Sequence, residues 1–290
     1  VLTVNPVNDA PVLSQYVSDF ETDEDTVISG DLEGLASDID GDILIYSASA
    51  DSGSAVVDGT ILTVTPNQDF NGDILVTITV SDSFLTDSAS AILTVNPVND
   101  APELDTLSDA TTDEDTAFVI SLSSSDVDGD DVTSSASVNS GSATIDGSTL
   151  TVSPAADYNG DITVTVTVSD GSLTDSGSFV LTVNPVNDAP VISAIADQST
   201  DEDTSLILEL SASDVDGDDL TYSATNGNAT ITVDGNTLTV DPEANYVGDS
   251  VITVNVSDGT VTSSTAFTLT FSPVNDAPVL DALSDATTDE

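Results

Sequence analysis

Acidic residues recur in three short motifs whose composition and spacing could bind a metal ion. The motif SDxDGD, which begins at positions 37, 125 and 213, places three carboxylates at alternate residues. The motif TDEDT begins at positions 22, 112 and 200 and starts again at 288, and the string PVNDAP begins at positions 6, 97, 185 and 273. Because carboxylate and amide oxygens are hard ligands, these motifs favour a hard cation over a soft or borderline metal.

The acidic groups have no basic partner in the chain. The 290 residues include 53 Asp and Glu but no Lys, Arg or His, so the formal charge is −53. Two like charges about 4 Å apart repel by about 1 kcal/mol in water and by several-fold more near a protein surface. Calcium accepts about six to eight oxygen ligands in a flexible geometry, whereas magnesium keeps waters in an octahedral shell. The clusters therefore predict bound Ca²⁺; the alternative is a solvated acidic face that keeps the protein soluble.

The same composition excludes several classes of function. A chain without Lys or Arg cannot neutralise phosphates, so it is not expected to bind nucleic acid, and an anionic membrane surface would repel it. Without His or Cys there is no Ser-His or Cys-His nucleophile and no imidazole or thiolate ligand. Paired carboxylates could serve glycoside hydrolysis. The same acids recur at regular places along the chain, however, which suits contacts between repeated domains better than one active site. The sequence therefore predicts a protein that is not an enzyme.

The spacing of the motifs divides the chain into tandem repeats of nearly equal length. Residues 1–11 match residues 180–190 letter for letter, so they correspond to the close of an upstream repeat, and residues 280–290 closely copy the start of the second repeat. We expect a piece of a longer array. Its predicted divisions are the end of an upstream repeat at 1–7, repeat 1 at 8–98, repeat 2 at 99–186, repeat 3 at 187–274, and the start of a fourth at 275–290.

Each repeat shows the pattern of β-strands. In the segment 162–168 the apolar residues Ile162, Val164, Val166 and Val168 alternate with threonines, which is the two-residue period of a half-buried strand. Asp-Gly pairs at positions 58, 146 and 234 lie between short β-rich runs, as type I′ hairpin turns would. About seven short strands per repeat predict an all-β chain of tandem immunoglobulin-like sandwiches.

One aromatic position precedes the long alternating strand of every repeat. It holds Phe70, Tyr158 and Tyr246. A tyrosine-corner hydrogen bond is one possibility there, but Phe70 has no hydroxyl, so core packing is the role that all three can share.

Together these motifs resemble the cadherin-like tandem repeats of giant secreted bacterial adhesins, including those exported by type I secretion. The resemblance covers the whole chain: a PVNDAP linker, an acidic TDEDT, the SDxDGD loop, and a later lone aspartate after the alternating strand. It implies the cadherin-like form of the sandwich, with calcium ions between successive domains. The linkers have Pro and Ala where cadherins carry further ligands, which implies about one or two ions per joint rather than three.

The resemblance also implies a ligand set for each joint. For the joint between repeats 1 and 2 it comprises Glu24, Asp25, Asn99, Asp100, Asp126, Asp128, Asp130 and Asp170, with either Asp69 or Asp73. For the next joint it comprises Glu114, Asp115, Asn187, Asp188, Asp214, Asp216, Asp218 and Asp258, with either Asp157 or Asp161. The first linker would use Asn8, Asp9, Asp38, Asp40, Asp42 and Asp82, and the last Glu202, Asp203, Asn275 and Asp276.

An array of this kind is expected to act as an extracellular spacer, at the bacterial cell surface, of a giant repetitive adhesin. Sandwiches roughly 30–40 Å long would let three repeats span on the order of 100 Å, and calcium at each joint would oppose bending by binding both neighbours. The expected partners are calcium ions, the neighbouring repeats and, if chains associate, other copies.

Two other functions remain open at the level of the sequence. The chain could belong to a self-assembling extracellular filament or matrix protein, which outward apolar patches or an open strand edge would favour. Outward threonines such as Thr163, Thr165 and Thr167 could instead bind ice or glycans, although Asn255 interrupts the equivalent row in repeat 3.

Overall fold

The computed structural model describes residues 2–3, 5–14, 18–226 and 228–280. Within these ranges every regular element is a β-strand, which confirms the predicted all-β class. None of the described residues lies in a helix long and apolar enough to cross a membrane.

Among the described residues, each repeat contains nine strands, two of which are only two residues long. The strands of repeat 1 are β1 (Val12–Leu13), β2 (Phe20–Asp23), β3 (Ile28–Asp31), β4 (Ala36–Ser37), β5 (Ile45–Ala50), β6 (Ser54–Asp58), β7 (Ile61–Thr65), β8 (Gly72–Ser81) and β9 (Thr86–Asn96). Those of repeat 2 are β10 (Glu103–Leu104), β11 (Ala110–Asp113), β12 (Phe118–Ser121), β13 (Ser124–Ser125), β14 (Thr133–Val138), β15 (Ser142–Asp146), β16 (Thr149–Ser153), β17 (Gly160–Ser169) and β18 (Thr174–Asn184). Those of repeat 3 are β19 (Val191–Ile192), β20 (Gln198–Asp201), β21 (Leu206–Glu209), β22 (Ala212–Ser213), β23 (Thr221–Thr225), β24 (Ala229–Asp234), β25 (Thr237–Pro242), β26 (Gly248–Ser257) and β27 (Thr262–Ser272).

The three repeats share one sheet topology. In repeat 1, a four-stranded sheet has the order β2-β9-β8-β5 and a three-stranded sheet has the order β3-β7-β6, while β1 and β4 form a short pair. All pairings are antiparallel except that of β2 with β9, which is parallel. Consequently the turn after β2, the loop between β7 and β8, and the end of β9 lie together at one end of the sandwich. We call this end the base, and the opposite end, with the SDxDGD loop and the β8–β9 turn, the head.

The core forms because alternate side chains of the long strands face the gap between the two sheets. On β17, Ile162, Val164, Val166 and Val168 are completely buried, whereas Thr163 is exposed. Burying each such side chain contributes roughly 1.5–3 kcal/mol. Each repeat has its own cluster of buried residues, so the predicted tandem sandwiches are confirmed.

The Asp-Gly hairpins differ by one residue from the sequence prediction. Asp58 pairs with Ile61 inside the ladder, so the two loop residues are Gly59 and Thr60. Gly59 has a φ of 65°, while Thr60 is not among the residues with positive φ. A positive φ at the first loop position alone is typical of a type II′ turn, so the type I′ prediction was wrong. The hairpins at positions 146 and 234 have the same register.

The aromatic position before the long strand packs against the core in every repeat, as expected. The two tyrosines there also use their hydroxyls. Tyr158 donates to the backbone oxygen of Asp161 and Tyr246 to that of Asp249, at 3.0 Å in both cases. These bonds hold the chain at the base, where it enters the long strand.

The Ser83→Gly variant should stabilise repeat 1. Ser83 has a φ of 86°, and the equivalent residues are Gly171 at 100° and Gly259 at 97°. A left-handed backbone costs a residue with a Cβ roughly 1–2 kcal/mol, part of which the greater freedom of unfolded glycine cancels. We expect a gain of about 0.5–1 kcal/mol in the free energy of unfolding of repeat 1, measured by denaturant-dependent hydrogen exchange.

The matched control is Gly171→Ser in repeat 2, which should lose stability by a similar amount. Nothing lies within 4 Å of the position that a Cβ would take at Gly171, so only the backbone conformation is tested. If both variants change stability in the same direction, this explanation is wrong.

Candidate metal sites between repeats

The SDxDGD loop is shaped by the first of its aspartates. In repeat 2, Oδ1 of Asp126 accepts the backbone N–H groups of Asp128 at 3.0 Å and Asp130 at 3.2 Å. Gly129 completes the tight path with a φ of 83°. The other oxygen, Oδ2 of Asp126, is buried and has no hydrogen-bond partner. The loop therefore uses one carboxylate oxygen for its own fold and leaves the other free for a ligand.

The linker is bound to the head of the repeat that follows it. Asn99 donates from its side-chain amide to Oδ2 of Asp170 at 2.8 Å, and the backbone N–H of Asp100 donates to Oδ2 of Asp128 at 2.8 Å. Asp170 also accepts the backbone N–H groups of Ser172 and Leu173. The bond from Asn99, followed by these backbone bonds, lowers the pKa of Asp170. Asp170 was predicted as a ligand, and the structure places it where it orients the linker.

The linker is also bound to the base of the repeat before it. Glu24, only 5% exposed, accepts the backbone N–H of Val98 at Oε1. Its second oxygen, Oε2, is buried without a hydrogen-bond partner. Next to it, Oδ1 of Asp25 accepts the backbone N–H of Asp69 at 3.1 Å. These contacts bring three carboxylates of the base close to the linker.

Two groups of carboxylates meet at the joint between repeats 1 and 2, and Asp100 belongs to both. One oxygen from each of Glu24, Asp100 and Asp128 lies within 4.8 Å of the others, and the same holds for Asp25, Asp69 and Asp100. Glu24, Asp25 and Asp69 come from repeat 1, and Asp128 comes from repeat 2. The cleft beside them, of about 420 Å³, is lined by Asp69, Asp100, Ala101, Glu103, Ser125, Asp126 and Val127.

The joint between repeats 2 and 3 has the same arrangement. Its two groups are Glu114, Asp188 and Asp216, and Asp115, Asp157 and Asp188. Its linker is held in the same way, because Asn187 donates to Asp258 at 2.9 Å and the backbone N–H of Asp188 donates to Asp216 at 2.8 Å. A geometry that recurs in two joints follows from the repeat itself.

The negative charges at these joints repel one another. Desolvation is the largest cause that raises the pKa of Asp100 above its usual value, and nearby negative charges add to it. The carboxylates that contribute are Asp69, Asp128, Glu24 and Asp25. The pKa of Asp188 is raised in the same way, first by desolvation and then by Asp157 and its neighbours. A carboxylate with a raised pKa is one whose negative charge is unfavourable, so a cation at the joint would stabilise it.

Unpartnered oxygens mark the same places. Burying a polar atom without a hydrogen bond costs about 1–3 kcal/mol, so binding an ion or another ligand would stabilise such an atom. Within the described residues, the buried carboxylate oxygens without a partner are those of Glu24 (Oε2) and of Asp38, Asp100, Asp126, Asp188 and Asp214 (Oδ2). All of them belong to bases, linkers or SDxDGD loops, and all are hard oxygen ligands suited to a cation such as calcium.

At the N-terminal linker, the structure describes the head side of a candidate site. Asn8 donates to Asp82 at 2.8 Å, and the backbone N–H of Asp9 donates to Asp40 at 2.8 Å. Asp38, Asp40 and Asp42 form a group with oxygens within 4.8 Å of one another. The equivalent of Asp42 in repeat 3 is Asp218. Its pKa is raised first by desolvation and then by the negative charges of Asp214 and Asp216.

At the base of repeat 3, the structure describes residues equivalent to the base side of the two candidate sites. Glu202 accepts the backbone N–H of Val274 at 2.7 Å, as its equivalents Glu24 and Glu114 do in their linkers. Asn275 donates to the backbone oxygen of Asp276 at 3.1 Å. Asp203 accepts the backbone N–H of Asn245 at 3.1 Å, which is the bond that Asp25 accepts from Asp69. Asn245 was not among the predicted ligands.

Two predicted ligands are placed differently. Asp73 accepts a hydrogen bond from the hydroxyl of Thr94 at 2.9 Å, and Asp161 accepts one from Thr182 at 2.8 Å. Each thereby fastens the start of the long strand to the neighbouring strand. Asp69 and Asp157, the alternatives in each pair, join the carboxylate groups instead, because their left-handed backbone, with φ of 54°, redirects the chain at the base.

Comparison with known proteins agrees with this architecture. Residues 98–184 match the family model described as a cadherin-like domain, and residues 8–96 and 187–271 match the one described as a bacterial Ig domain. Among solved structures, PcdhgB3 EC1-4 is 15% identical with a TM-score of 0.50, and the match covers 93% of this chain and 77% of that one. Drosophila N-cadherin EC1-4 is also 15% identical, with a TM-score of 0.41 and coverage of 93% and 76%. At 15% identity, the likeness to PcdhgB3 EC1-4 shows the fold alone.

Chitinase A of Pseudoalteromonas piscicida is 34% identical over 122 residues, which is 41% of this chain. The matched part spans only 15% of the chitinase. Cadherin-like and bacterial Ig domains are usually extracellular and typically not enzymes. Since the bacterial Ig model covers more than half of the residues, the chain belongs to the bacterial Ig domain family, and its repeats are consistent with the cadherin-like repeats of bacterial adhesins.

Proposed function

We propose that this chain is a calcium-stiffened extracellular spacer of a large bacterial surface adhesin. The observation that carries the proposal is the sharing of Asp100 between two carboxylate groups that include residues of both neighbouring repeats. No Lys, Arg or His exists to neutralise these groups. A divalent cation bound there would connect repeat 1 to repeat 2 and reduce bending at the linker.

The chemistry of the donors favours calcium over the other common divalent ions. The ligands on offer are carboxylate and amide oxygens from several loops, which suit the large and flexible coordination shell of Ca²⁺. Extracellular calcium modules typically have dissociation constants of about 10⁻⁴–10⁻³ M. Such sites would be filled outside a cell and empty at the low calcium of a cytoplasm, where the joints would repel themselves and the chain would stay loose before export.

Removing calcium should shorten the chain in solution. In small-angle X-ray scattering, the full chain with millimolar Ca²⁺ should have the larger maximum dimension, and a chelator should lower it and raise the signal of flexibility. The reason is that the empty joints lose their bridging ion and sample many angles. Identical profiles with and without the chelator would contradict the proposal.

Two controls separate bridging from general screening of charge. Sodium chloride at about 0.1–0.15 M screens charges beyond roughly 8–10 Å, so it should not restore the extended form after chelation if the ions act as bridges. Magnesium at the same concentration as calcium should restore it less completely, because Mg²⁺ gives up its waters reluctantly.

A second setting for the same spacer is a secreted polysaccharide-degrading enzyme. The observation that favours it is the 34% identity with part of chitinase A. In that case the chain would separate a catalytic domain from other domains of one protein. Locating the parent protein on intact cells and in the medium, with an antibody against this chain, would separate a surface adhesin from a released enzyme.

Only part of the exposed apolar surface recurs as the filament alternative requires: Ile39, Val127 and Val215 are exposed at one position of the three SDxDGD loops. Phe84 and Ile43 are 82% and 85% exposed in repeat 1, but Ser172 and Asp131 occupy these positions in repeat 2. A filament built from repeat-to-repeat contacts would need its apolar patch to recur with the repeat.

A further inference from the structure

The base of repeat 3 differs from the other two bases at one residue beside the carboxylate group. Asp69, Asp157 and Asn245 occupy the same position in the loop before the long strand. All three have a left-handed backbone, with φ of 54°, 54° and 59°. All three donate their backbone N–H to the aspartate of the turn after the second strand, at 3.1, 3.2 and 3.1 Å. The substitution therefore changes the side chain while the backbone keeps its conformation and its hydrogen bond.

The changed side chain is the one that supplies charge to the joint. Asp69 and Asp157 each contribute a carboxylate oxygen to a group that includes the linker aspartate. An asparagine at this place has no charge and at most one neutral oxygen to offer. Two residues further on, Val247 stands where Asn71 and Asn159 are found, so the same loop also loses an amide. At this position the base of repeat 3 thus presents a weaker oxygen ligand than the bases of repeats 1 and 2. The extra acids of its loop lie elsewhere, at Glu243 and at Asp241, which accepts a hydrogen bond from Ser205.

We infer that the joints are graded in calcium affinity, and that the site at the base of repeat 3 binds calcium more weakly than those at the bases of repeats 1 and 2. This inference rests on the proposed function. Calcium sites tune their dissociation constants through the number of charged ligands, so the loss of one carboxylate should weaken binding by about 10-fold to 100-fold. When the calcium concentration falls, the array then becomes flexible first at the base of repeat 3, while the joint between repeats 1 and 2 and the joint between repeats 2 and 3 stay stiff.

The test transfers the asparagine into the two complete joints of the chain. In Asp69→Asn, the calcium concentration that half-saturates the first joint should rise about 10-fold to 100-fold, and the second joint should be unchanged. Asp157→Asn should give the reverse. The backbone amides of Asp100 and Asp188, followed by nuclear magnetic resonance during a calcium titration of the full chain, report the two joints separately. Neither variant is expected to disturb the fold, since Asn245 has the same backbone in repeat 3.

The matched control is Asp73→Asn, which removes the same charge from the same loop region. Asp73 is bonded to Thr94, so its replacement should shift the half-saturation point of the first joint by less than about twofold if the position of the charge matters more than its number. Conversely, Asn245→Asp should lower the calcium concentration that half-saturates the response of the Asp276 amide by about 10-fold or more.

The outcomes distinguish the inference from the proposed function. If the wild-type chain shows no saturable calcium response at Asp100 or Asp188, the proposed function fails. If the wild type responds but Asp69→Asn and Asp157→Asn stay within twofold of it, the graded joints are ruled out and the calcium spacer stands. A loss of affinity in Asp73→Asn equal to that in Asp69→Asn would also overturn the grading, because the effect would then follow net charge alone.

Discussion

The Asp100→Asn variant should lose calcium affinity at the first joint by at least about 100-fold, while the second joint keeps its affinity. Asp100 is the one carboxylate that belongs to both groups at this joint, and its Oδ2 is buried without a partner. Losing its charge would therefore weaken both groups at once. Even residues that only support a metal ligand typically change affinity by 10-fold to 100-fold, so a shared ligand should exceed that range.

The expected loss is specific to the side chain of Asp100. Its backbone N–H would still donate to Asp128, and Val98 would still donate to Glu24, so the linker should remain attached to both repeats. Isothermal titration calorimetry should find fewer calcium ions bound per chain at millimolar calcium. Asp146→Asn, in a hairpin turn, removes one charge elsewhere and should leave the titration unchanged. Full stoichiometry and affinity in Asp100→Asn would contradict the assignment of Asp100 as the shared ligand.

The Phe271→Ala variant should lower the free energy of unfolding of repeat 3 by about 3–5 kcal/mol. Phe271 is 1% exposed and meets the ring of Tyr246 edge to face, with ring centroids 5.6 Å apart. The same position holds Val95 and Val183 in the other repeats. A truncated phenylalanine leaves a larger cavity than a truncated valine, so Val183→Ala in repeat 2 should cost only about 2 kcal/mol.

The large side chain of Phe271 accompanies a small one nearby. Ser250 is 4% exposed and stands where Ile74 and Ile162 fill the cores of repeats 1 and 2. On the register of the two strands, Phe271 lies opposite Gly248 and Ser250 lies opposite Leu269, so the two side chains are diagonal neighbours on one face. The pair Ile and Val in two repeats thus becomes Ser and Phe in the third, so that the loss of volume at one position accompanies a gain at the other.

A double-mutant cycle tests this compensation. Ser250→Ile alone should overpack the core and cost about 1–3 kcal/mol, whereas Ser250→Ile with Phe271→Val restores the pair found in repeats 1 and 2 and should cost clearly less than the sum of the single changes. Denaturant-dependent hydrogen exchange resolves the three repeats. Additive costs would show that the two positions do not share one space.

The features that follow from local periodicity could be predicted from the sequence. The alternation of Ile162, Val164 and Val166 with threonines decides which side chains face the core, and the spacing of the motifs shows that one architecture recurs. The two-residue strands were not foreseen, because two residues such as Val12 and Leu13 are too few to show a period. The hairpin type was wrong because the Asp-Gly pair does not show whether Asp58 closes the ladder or enters the loop.

The joint residues could be predicted only in part. The recurrence of acidic motifs identified the groups that meet at the linkers, but the choice between Asp69 and Asp73 depended on a left-handed residue that nothing in the letters marks. The structure instead pairs one oxygen of Asp73 with the hydroxyl of Thr94 on the adjacent strand, 21 residues further along the sequence. Asn245 was overlooked because it is not an acid, although its place directly before Tyr246 aligns it with Asp69 before Phe70.

The parallel pairing of β2 with β9 also has a mechanical consequence. A load along the array would draw β2 towards the head and β9 towards the base, in opposite directions along one ladder that spans Phe20–Asp23 and Leu93–Asn96. Such a shear stretches all the rungs of the ladder at the same time, whereas peeling would open them one by one. The carboxylate of Asp19, which accepts the backbone N–H of Ile92 at 2.9 Å, adds a rung beyond the strand. In each repeat, tension would therefore act as shear on the parallel strand pair, and shear is the loading direction in which paired strands resist separation best.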